Sequence, residues 1–241
     1  IIVLAPVNSA DCYNLTCQAF NLAETYRCPV FVASNKEIGM TKESVSEEEL
    51  AEIEVLSRAG SEESCSNLPY QPFAASTDSM VPAFLPIGGT ALVRQTSSSH
   101  GPDGFITTSP NALAEGVNRM RNKLVSQRDD LSFYRLDPDP AADTLVIVYG
   151  VTARAAEVSI KRLREQSHCI SLLVLQTLYP VPEKLLIDEI AKVSRVIVVE
   201  MNLGQYVREV ERFSGATAVE FFGKMDGELI SPDEIIRVIV P

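Results

Sequence analysis

The strongest constraint on the fold is an alternation between apolar runs and amphipathic segments in the last part of the chain. Runs rich in β-branched residues occupy positions 145–149, 170–175, 196–199 and 218–222. Each run is followed by a segment whose apolar residues recur every three or four positions, which is the spacing of one helix face. Runs that are apolar throughout are typical of strands covered on both faces. The pattern therefore predicts an α/β domain in which a parallel sheet lies between two layers of helices.

The beginning of the chain shows the same pattern once. Apolar runs at 1–5 and 30–34 flank a segment, 9–26, that has the spacing of an amphipathic helix. We expect a β-α-β unit with a right-handed crossover. Because a fully apolar strand normally lies between other strands, we also expect the chain to begin inside a domain.

The region between these two patterns changes character twice. Residues 43–63 are strongly acidic, and a capping box formed by Ser46 and Glu49 predicts a solvated helix there. Residues 64–110 are rich in proline and glycine but also contain many apolar side chains. This combination predicts an ordered irregular excursion with one short hairpin near 91–105.

The next helix is predicted to begin at Ser109-Pro110, a common capping and first-turn pair. Its buried face would carry Leu113, Val117, Met120 and Leu124, with basic side chains outside. The polar, proline-containing stretch 126–143 then marks a domain boundary. The predicted domains are 1–128, which includes the excursion at 64–110, and 141–241.

Charge and composition restrict the partners. The chain has 241 residues, of which 46% are hydrophobic, and a formal net charge of −11. Nucleic acids and anionic membrane surfaces require a basic face, so we expect a protein or a small molecule as the partner. No apolar run approaches the roughly 20 residues that cross a bilayer. We expect a soluble, cytoplasmic protein.

The five cysteines include no C-x-x-C pair. An odd, ungrouped set favours reduced, mostly buried thiols over a disulfide framework or a metal site. It also argues against an iron–sulfur cluster held by this chain, because cluster ligation requires grouped cysteines. The phosphate-binding and serine-nucleophile motifs are absent as well. The motifs therefore assign no catalytic residue and no metal ligand.

Polar residues follow the apolar run at 196–199, in the order Glu200-x-Asn202-x-Gly204-Gln205. Open α/β sheets place their sites at the carboxyl ends of strands, so these residues are candidates for a structured edge. The spacing alone leaves an alternative open. In that alternative Asn202 caps the following helix and Gly204 only allows the chain to turn.

Three further candidates lie outside this block. Ser34 and Asn35 stand at the carboxyl end of the second predicted strand. His100 lies in a glycine-containing turn, where an imidazole could carry a proton or bind a ligand. The other histidine, His168, lies at a predicted helix end, and no carboxylate pattern accompanies the two, so a two-histidine metal site is not expected.

Several stretches together carry a resemblance to a known family. They are 5–30, Ser34-Asn35-Lys36-Glu37-Ile38-Gly39-Met40-Thr41, Tyr70-x-Pro72-Phe73, His100-x-x-x-Gly104, Tyr149-Gly150, Leu178-Tyr179-Pro180-x-Pro182 and Glu200-Met201-Asn202-Leu203-Gly204-Gln205. The chain resembles, over nearly its whole length, the alpha subunits of 2-oxoacid:ferredoxin oxidoreductases. These are thiamine-diphosphate enzymes that oxidise 2-oxoacids to acyl-CoA.

The resemblance implies an α/β fold made of two parts. Residues 1–128 would be the second half of a pyrimidine-binding domain for thiamine diphosphate, and 141–241 a parallel-sheet domain like the carboxy-terminal domain of transketolase. Thiamine diphosphate and Mg²⁺ would lie at the interface with a beta subunit, which would also hold an iron–sulfur cluster. Coenzyme A would take the acyl group and ferredoxin the electrons. The likeness of 34–41 favours 2-oxoglutarate as the substrate.

The chain departs from the family pattern in two places. The family usually has Ser-Asp where this chain has Ser34-Asn35, so no role of that acid is carried over. The amino-terminal half of the pyrimidine-binding domain, which in the family carries the glutamate that activates the thiamine ring, is missing before Ile1. We therefore expect this chain to be inactive alone, and its edge residues to contribute to an interface.

Two other classes of function remain open at this point. One is a different thiamine enzyme, such as the beta chain of a 2-oxoacid dehydrogenase or a transketolase-like synthase, which would not respond to ferredoxin. The other is a non-catalytic paralogue that binds a beta-like partner and turns over no 2-oxoacid.

Overall fold

The computed structural model describes residues 1–57, 70–75, 78, 80–85, 88 and 93–240. Its helices are α1 (Ser9–Tyr26), α2 (Lys36–Met40), α3 (Pro110–Val125), α4 (Thr152–Glu165), α5 (Glu183–Ile190), α6 (Val207–Glu211) and α7 (Pro232–Ile239). Its strands are β1 (Ile2–Leu4), β2 (Val30–Val32), β3 (Tyr134–Asp137), β4 (Thr144–Tyr149), β5 (Ile170–Leu175), β6 (Thr177–Tyr179), β7 (Arg195–Glu200) and β8 (Ala218–Gly223).

These residues form two compact units. The first unit contains Ile1–Thr16, Phe31–Glu52 and Arg128–Pro241, and the second contains Cys17–Val30 and Ile53–Gln127. Residues from the start of the chain therefore belong to the same unit as the whole carboxy-terminal region. The units cross the predicted boundary, so the domain limits 1–128 and 141–241 stay a prediction.

The first unit is built on a five-stranded sheet with the order β3-β5-β4-β7-β8. Strand β4 runs parallel to both of its neighbours, so that Val146 pairs with Leu172 on one side and Ile197 on the other. Strand β8 is parallel to β7, whereas β3 is antiparallel to β5. The predicted α/β fold is confirmed, with a mixed rather than a purely parallel sheet.

Helices cover both faces of this sheet. Val146 and Val148 lie in an apolar cluster with residues of α4 and α7, such as Ile160 and Ile235. The alternate residues of β4 lie in a second cluster, which contains residues of α5 and α6. Alternation along a strand that is apolar throughout thus supplies two cores, as expected for a buried strand.

The connections from β4 and β7 leave the sheet on opposite faces. The chain passes from β4 to β5 through α4, and from β7 to β8 through α6, and these two helices belong to different apolar clusters. Since β4 and β7 are neighbours, the loops at their carboxyl ends diverge. Such a topological switch point is where open α/β sheets form crevices for ligands.

A second, three-stranded sheet has the order β2-β1-β6. Strand β6 is antiparallel to β1, with Val3 opposite Tyr179. Thr177, at the start of β6, is completely buried, and its hydroxyl donates a hydrogen bond of 2.6 Å to the carbonyl of Leu131. The sequence analysis did not predict β6, because a three-residue strand is too short to show a periodic pattern.

The predicted helix over 43–63 is wrong for the described residues. The capping box of Ser46 and Glu49 is present, but it begins only a 3₁₀ helix at Glu47–Glu49. After this turn the backbone bonds to side chains of α1 instead. The amide of Ala51 donates to Oδ1 of Asn14 at 2.9 Å, and the carbonyl of Glu54 accepts from Nδ2 of Asn21 at 2.7 Å. Residues 58–63 lie outside the described residues.

One other expectation, on the cysteines, needs correction. The stretch 126–143, predicted as a domain boundary, contains the strand β3, which the sequence pattern did not show. Among the described cysteines Cys12, Cys17 and Cys28 are free and half-buried and Cys169 is free and exposed, so "mostly buried" is wrong. The hairpin predicted near 91–105 begins at residues outside the described part. Within the described part, His100 forms an isolated antiparallel bridge with Ile106.

Within the described residues, no helix combines the length and apolar character needed to span a membrane.

Two cationic side chains of the second unit, the half-buried Arg27 and the buried Lys123, bind backbone carbonyls. Arg27 donates hydrogen bonds to the carbonyls of Pro72 at 2.7 Å and Ala83 at 3.2 Å, and its guanidinium stacks 5.6 Å from the ring centre of Phe73. Lys123, predicted outside, is 6% exposed and donates to the carbonyl at the end of α1. The buried face of α3 therefore includes Lys123. The prediction that Val117 and Met120 are buried is wrong, since they are 60% and 52% exposed.

Candidate functional site

The side chain of Glu200 lies fully buried at the carboxyl end of β7 and accepts four hydrogen bonds. Its Oε2 accepts from the hydroxyl of Tyr149 at 2.8 Å, from Nδ2 of Asn202 at 2.7 Å and from the amide of Tyr206 at 3.0 Å. Its Oε1 accepts from the amide of Val207 at 2.8 Å. The carboxylate thus lies at the amino end of α6, where backbone amides and a helix dipole favour negative charge.

The residues after Glu200 form a tight turn. Oδ1 of Asn202 accepts from the amides of Gly204 at 2.7 Å and Gln205 at 3.1 Å, and Oε1 of Gln205 accepts from the amide of Leu203 at 3.1 Å. Gly204 has φ of +85°, which favours glycine. The geometry is therefore that of the turn stated as the alternative for Gly204. Asn202 stabilises this turn but does not cap α6, because the amides at the start of that helix donate to Glu200 instead.

The two phenols in this network have pKa values raised above the ordinary value of tyrosine. Burial, with the nearby Glu200 carboxylate as the next cause, raises the pKa of the Tyr149 hydroxyl far above its ordinary value. Burial also raises the pKa of Tyr206, whose ring lies 5.5 Å from that of Tyr149. Both phenols stay neutral, and the carboxylate is saturated with donors. This arrangement suits a structural role better than proton transfer.

Asn35 holds the turn after β4 from the other side. Its Oδ1 accepts a hydrogen bond of 3.0 Å from the amide of Val151. A Cβ atom on Gly150, whose φ is +61°, would lie only 2.5 Å from the same oxygen. Residues 149 and 151 are thus each bound by a predicted candidate, Glu200 and Asn35 respectively. Ser34 is exposed, and its hydroxyl donates to the carbonyl of Asn35 at 3.3 Å.

Glu43 belongs to the same edge and was missed in the sequence. Its carboxylate accepts from the amide of Ser9 at 3.1 Å and from the Ser9 hydroxyl at 2.9 Å, at the start of α1, and forms an ion pair with Arg154. The hydrogen bond from the Ser9 amide is the largest cause that lowers the pKa of Glu43. The signal was hidden because Glu43 begins an acidic run that was interpreted as solvated.

His100 belongs to the second compact unit, whereas the other six candidates belong to the first. Its ring stacks on Phe73 with 3.7 Å between ring centres, and Nδ1 lies 3.1 Å from the carbonyl of Gly101. Across the residues that the structure describes, no three His, Cys, Asp or Glu side chains are grouped as metal ligands would be. His100 is therefore stacked in the excursion rather than in a metal-binding group.

Two family models match the chain one after the other. Residues 1–119 match the model described as pyruvate flavodoxin/ferredoxin oxidoreductase, thiamine diphosphate-binding. Residues 142–235 match pyruvate:ferredoxin oxidoreductase core domain II. The Glu200 network and the start of α4 lie in the second matched region, and Asn35 lies in the first.

Curated relatives extend over the whole chain. The 2-oxoglutarate synthase subunit KorA of Methanocaldococcus jannaschii is 33% identical over 241 residues, which is 100% of this chain and 63% of the relative. The KorA subunit of Methanothermobacter thermautotrophicus is 31% identical, with the same coverage. The ketoisovalerate oxidoreductase subunit VorB of Methanothermobacter marburgensis is 24% identical and covers 99% of this chain. The chain thus spans about three fifths of the length of these relatives.

A solved structure has the same fold. The 2-oxoglutarate:ferredoxin oxidoreductase from Magnetococcus marinus, with 2-oxoglutarate, coenzyme A and succinyl-CoA bound, superposes with a TM-score of 0.84 at 22% identity, covering 99% of this chain and 41% of that one. Sequence and fold agree along the whole chain, and the matched domains follow each other in one order. The chain belongs to the alpha-subunit family of 2-oxoacid:ferredoxin oxidoreductases.

Proposed function

We propose that this chain is part of the alpha subunit of a thiamine-dependent 2-oxoacid:ferredoxin oxidoreductase. The observation that carries the proposal is the succession of a thiamine diphosphate-binding domain and core domain II within one chain. The complete enzyme would decarboxylate a 2-oxoacid, pass the electrons to ferredoxin and transfer the acyl group to coenzyme A. A cytoplasmic location belongs to the same proposal, and the free thiols support it.

We favour 2-oxoglutarate as the substrate. The KorA relatives named for 2-oxoglutarate synthase are 31–33% identical to this chain, whereas the VorB relative named for ketoisovalerate is 24% identical. This difference in identity supports the preference already given by the likeness of residues 34–41. The structure offers no described side chain whose contacts would select one 2-oxoacid over another.

In our proposal no described residue of this chain, among which no three His, Cys, Asp or Glu side chains are grouped, is assigned to Mg²⁺ or to the diphosphate. We therefore derive no chemical step on the cofactor from this chain. In our proposal a beta subunit holds the diphosphate, its Mg²⁺ and an iron–sulfur cluster.

We assign the edge formed by Glu200, Asn202, Gly204 and Gln205 a role in presenting a surface to that partner. The buried network fixes the turn, and Leu203 at its tip is 73% exposed. A large apolar side chain on a rigid turn suits a protein interface better than a catalytic role. Ser34, Asn35 and His100 stay interface candidates of the same proposal.

The test is anaerobic purification of the native complex through a tag on the full-length protein that contains this chain. The purified complex is assayed for viologen reduction that depends on both coenzyme A and a 2-oxoacid, with 2-oxoglutarate, pyruvate and 2-oxoisovalerate compared. We expect turnover with 2-oxoglutarate. Turnover with another acid would overturn only the proposed substrate. A co-purified partner without any turnover would overturn the proposed enzyme activity and favour a binding module.

A further inference from the structure

A cleft of about 410 Å³ lies within the second compact unit, between α3 and two segments of the excursion. Helix α3 contributes Leu113, Gly116 and Arg119 to its lining, and the excursion contributes Phe73 and His100. The volume is within the range of sites that bind small molecules. No step of 2-oxoacid oxidation has been placed there.

Three cationic side chains, which we call the cation cluster, converge beside this cleft. Arg119 and Lys123 are one turn apart on α3, and Lys123 donates to the carbonyl of Tyr26, the residue before Arg27. Arg27 and Arg119 both bind the segment 80–83, because their Nη1 atoms donate to its carbonyls. Among the described residues, no carboxylate forms an ion pair with any of the three.

The pKa shifts agree with a positive charge that is not compensated. Burial is the largest cause that lowers the pKa of Arg119 and that of Lys123, and the charge of Arg27 lowers both further. Buried charges in proteins are normally paired with an opposite charge. The cation cluster therefore favours an anion nearby, and Arg119 is its member that lines the cleft.

Arg119 keeps hydrogen-bond donors for such an anion. Its Nη1 donates to the carbonyl of Met80 at 3.1 Å, and its Nε and Nη2 have no acceptor among the described residues. Two neighbouring donors of a guanidinium bind both oxygens of a carboxylate. Glu115 also lines the cleft, and it opposes a ligand with a second negative charge. The lining thus favours a single carboxylate.

The rest of the lining favours a flat ring. His100 is stacked on Phe73 with 3.7 Å between ring centres, so this part of the wall is aromatic. On α3, a Cβ atom added to Gly116 would meet no atom within 4 Å apart from its own stretch of helix. The space beside Gly116 is therefore open, and an aromatic ring placed there can stack on the aromatic wall. Leu113 and Val117 supply apolar contacts.

We propose that this cleft binds a planar aromatic monocarboxylate, with its carboxylate on Arg119 and its ring against His100 in the space beside Gly116. The proposal goes beyond the oxidoreductase function and does not depend on it. The bound carboxylate supplies the negative charge that the cation cluster lacks.

The test is a titration of the 241-residue chain with benzoate, followed by ligand-observed NMR. Benzamide has nearly the same shape without the charge, and cyclohexanecarboxylate has the charge without the flat ring. We expect saturable binding of benzoate. Benzamide should bind about tenfold more weakly, because it forms no charge-assisted hydrogen bonds with Arg119. Cyclohexanecarboxylate should bind about fivefold more weakly, because it cannot stack on an aromatic ring.

Three variants test whether benzoate binds in this cleft. Arg119→Gln should weaken binding about tenfold, because it removes the charge and the forked donors. Arg121→Gln is the matched control, since it removes the same charge from an exposed position of α3 outside the cleft lining, and it should bind within about twofold of the unmodified chain. Gly116→Leu fills the open space and should abolish saturable binding, while leucine favours the helix over glycine.

Thermal unfolding of each variant without ligand separates a loss of binding from a loss of folding. If Gly116→Leu does not fold, Arg119→Gln and its control decide the outcome. No saturable binding of benzoate, or equal binding of either analogue, would overturn the proposal. Undiminished binding by folded Arg119→Gln or Gly116→Leu, or an equal loss in Arg121→Gln, would overturn it as well.

Discussion

The hydroxyl of Tyr149 donates a hydrogen bond of 2.8 Å to the carboxylate of Glu200, and this bond joins the carboxyl ends of neighbouring strands β4 and β7. The two loops that diverge from these strands are thus anchored to one another at their first residues. Asn35 holds the next turn residue through the amide of Val151. The crevice at the switch point is therefore bordered by loops whose first residues are fixed.

Replacement of Glu200 by glutamine should destabilise the protein strongly. The amide group would turn N–H donors towards some of the four donors that now bind the carboxylate, so we expect the free energy of unfolding to fall by about 3 kcal/mol. Urea denaturation followed by circular dichroism measures this change. Glu228→Gln is the matched control, since its side chain is 79% exposed in a surface ion pair, and it should change stability far less. Equal effects would contradict the role given to Glu200.

The raised pKa of Tyr149 predicts a loss of stability at alkaline pH. The folded protein keeps this phenolic proton, whereas the unfolded chain releases it above about pH 10, so the free energy of unfolding falls as pH rises through that range. Tyr149→Phe removes this contribution. The difference in stability between the unmodified protein and the variant should therefore be smaller at about pH 11 than at about pH 8. Tyr134→Phe, at an exposed position, gives the baseline.

Two glycine-to-alanine changes should have opposite effects. At Gly150 the added Cβ would lie 2.5 Å from Oδ1 of Asn35, at a φ of +61°, so Gly150→Ala should cost about 1–3 kcal/mol of unfolding free energy. At Gly116, inside α3, nothing lies within 4 Å, and alanine should stabilise by roughly 0.5–1 kcal/mol. Combining Gly150→Ala with Asn35→Ala should recover only the part of the loss due to the clash. Thermal denaturation of Gly150→Ala, Gly116→Ala, Asn35→Ala and the double variant checks both signs.

Arg27 should stabilise the described segments 70–75 and 80–85. Lysine keeps the charge but lacks the planar guanidinium, which stacks on Phe73 and Phe84 while its Nη1 donates to the carbonyls of Pro72, Pro82 and Ala83. We expect Arg27→Lys to increase the rate of limited proteolysis within residues 70–105 by about tenfold, corresponding to about 1.4 kcal/mol of local opening. Arg121→Ala, at an exposed position of α3, is the control and should leave the cleavage pattern unchanged. Unchanged proteolysis of Arg27→Lys would contradict the prediction.

The long elements of the fold could be predicted because each contains its own signal. Strands β4, β5 and β7 are apolar throughout, and their helices show a clear period, so the sequence alone specifies the α/β class. The helix predicted after Ser46 does not form because two asparagines of α1 bind the backbone of this segment, and no local sequence pattern contains that contact. Strand β3 was not predicted for a similar reason, since its polar residues become a strand only by pairing with β5.

The candidate site was predicted in position more than in detail. Glu200 and Asn202 follow the buried strand β7, and open sheets place their sites at the carboxyl ends of strands, so their placement there could be anticipated. Asn35 follows β2, a partly exposed strand of the other sheet, so its contact with the turn after β4 could not. The complete burial of Glu200 could not be predicted, because it depends on Tyr149 and on the amides at the start of α6 that surround its carboxylate. Glu43 could not be recognised within the acidic run that it begins, because its importance comes from contacts with Ser9 and Arg154 in distant segments.

Strand β3 has a consequence for how this domain can be exchanged between proteins. The family match begins at residue 142, yet the sheet is completed at one edge by Tyr134–Asp137, and Leu131 before it is fully buried. A gene fusion that joined the domain at residue 142 would expose the backbone groups of β5 as an open edge, which is prone to aggregation. A domain transferred between proteins therefore has to include the segment that starts near Arg128, although little in the composition of that segment distinguishes it from a linker.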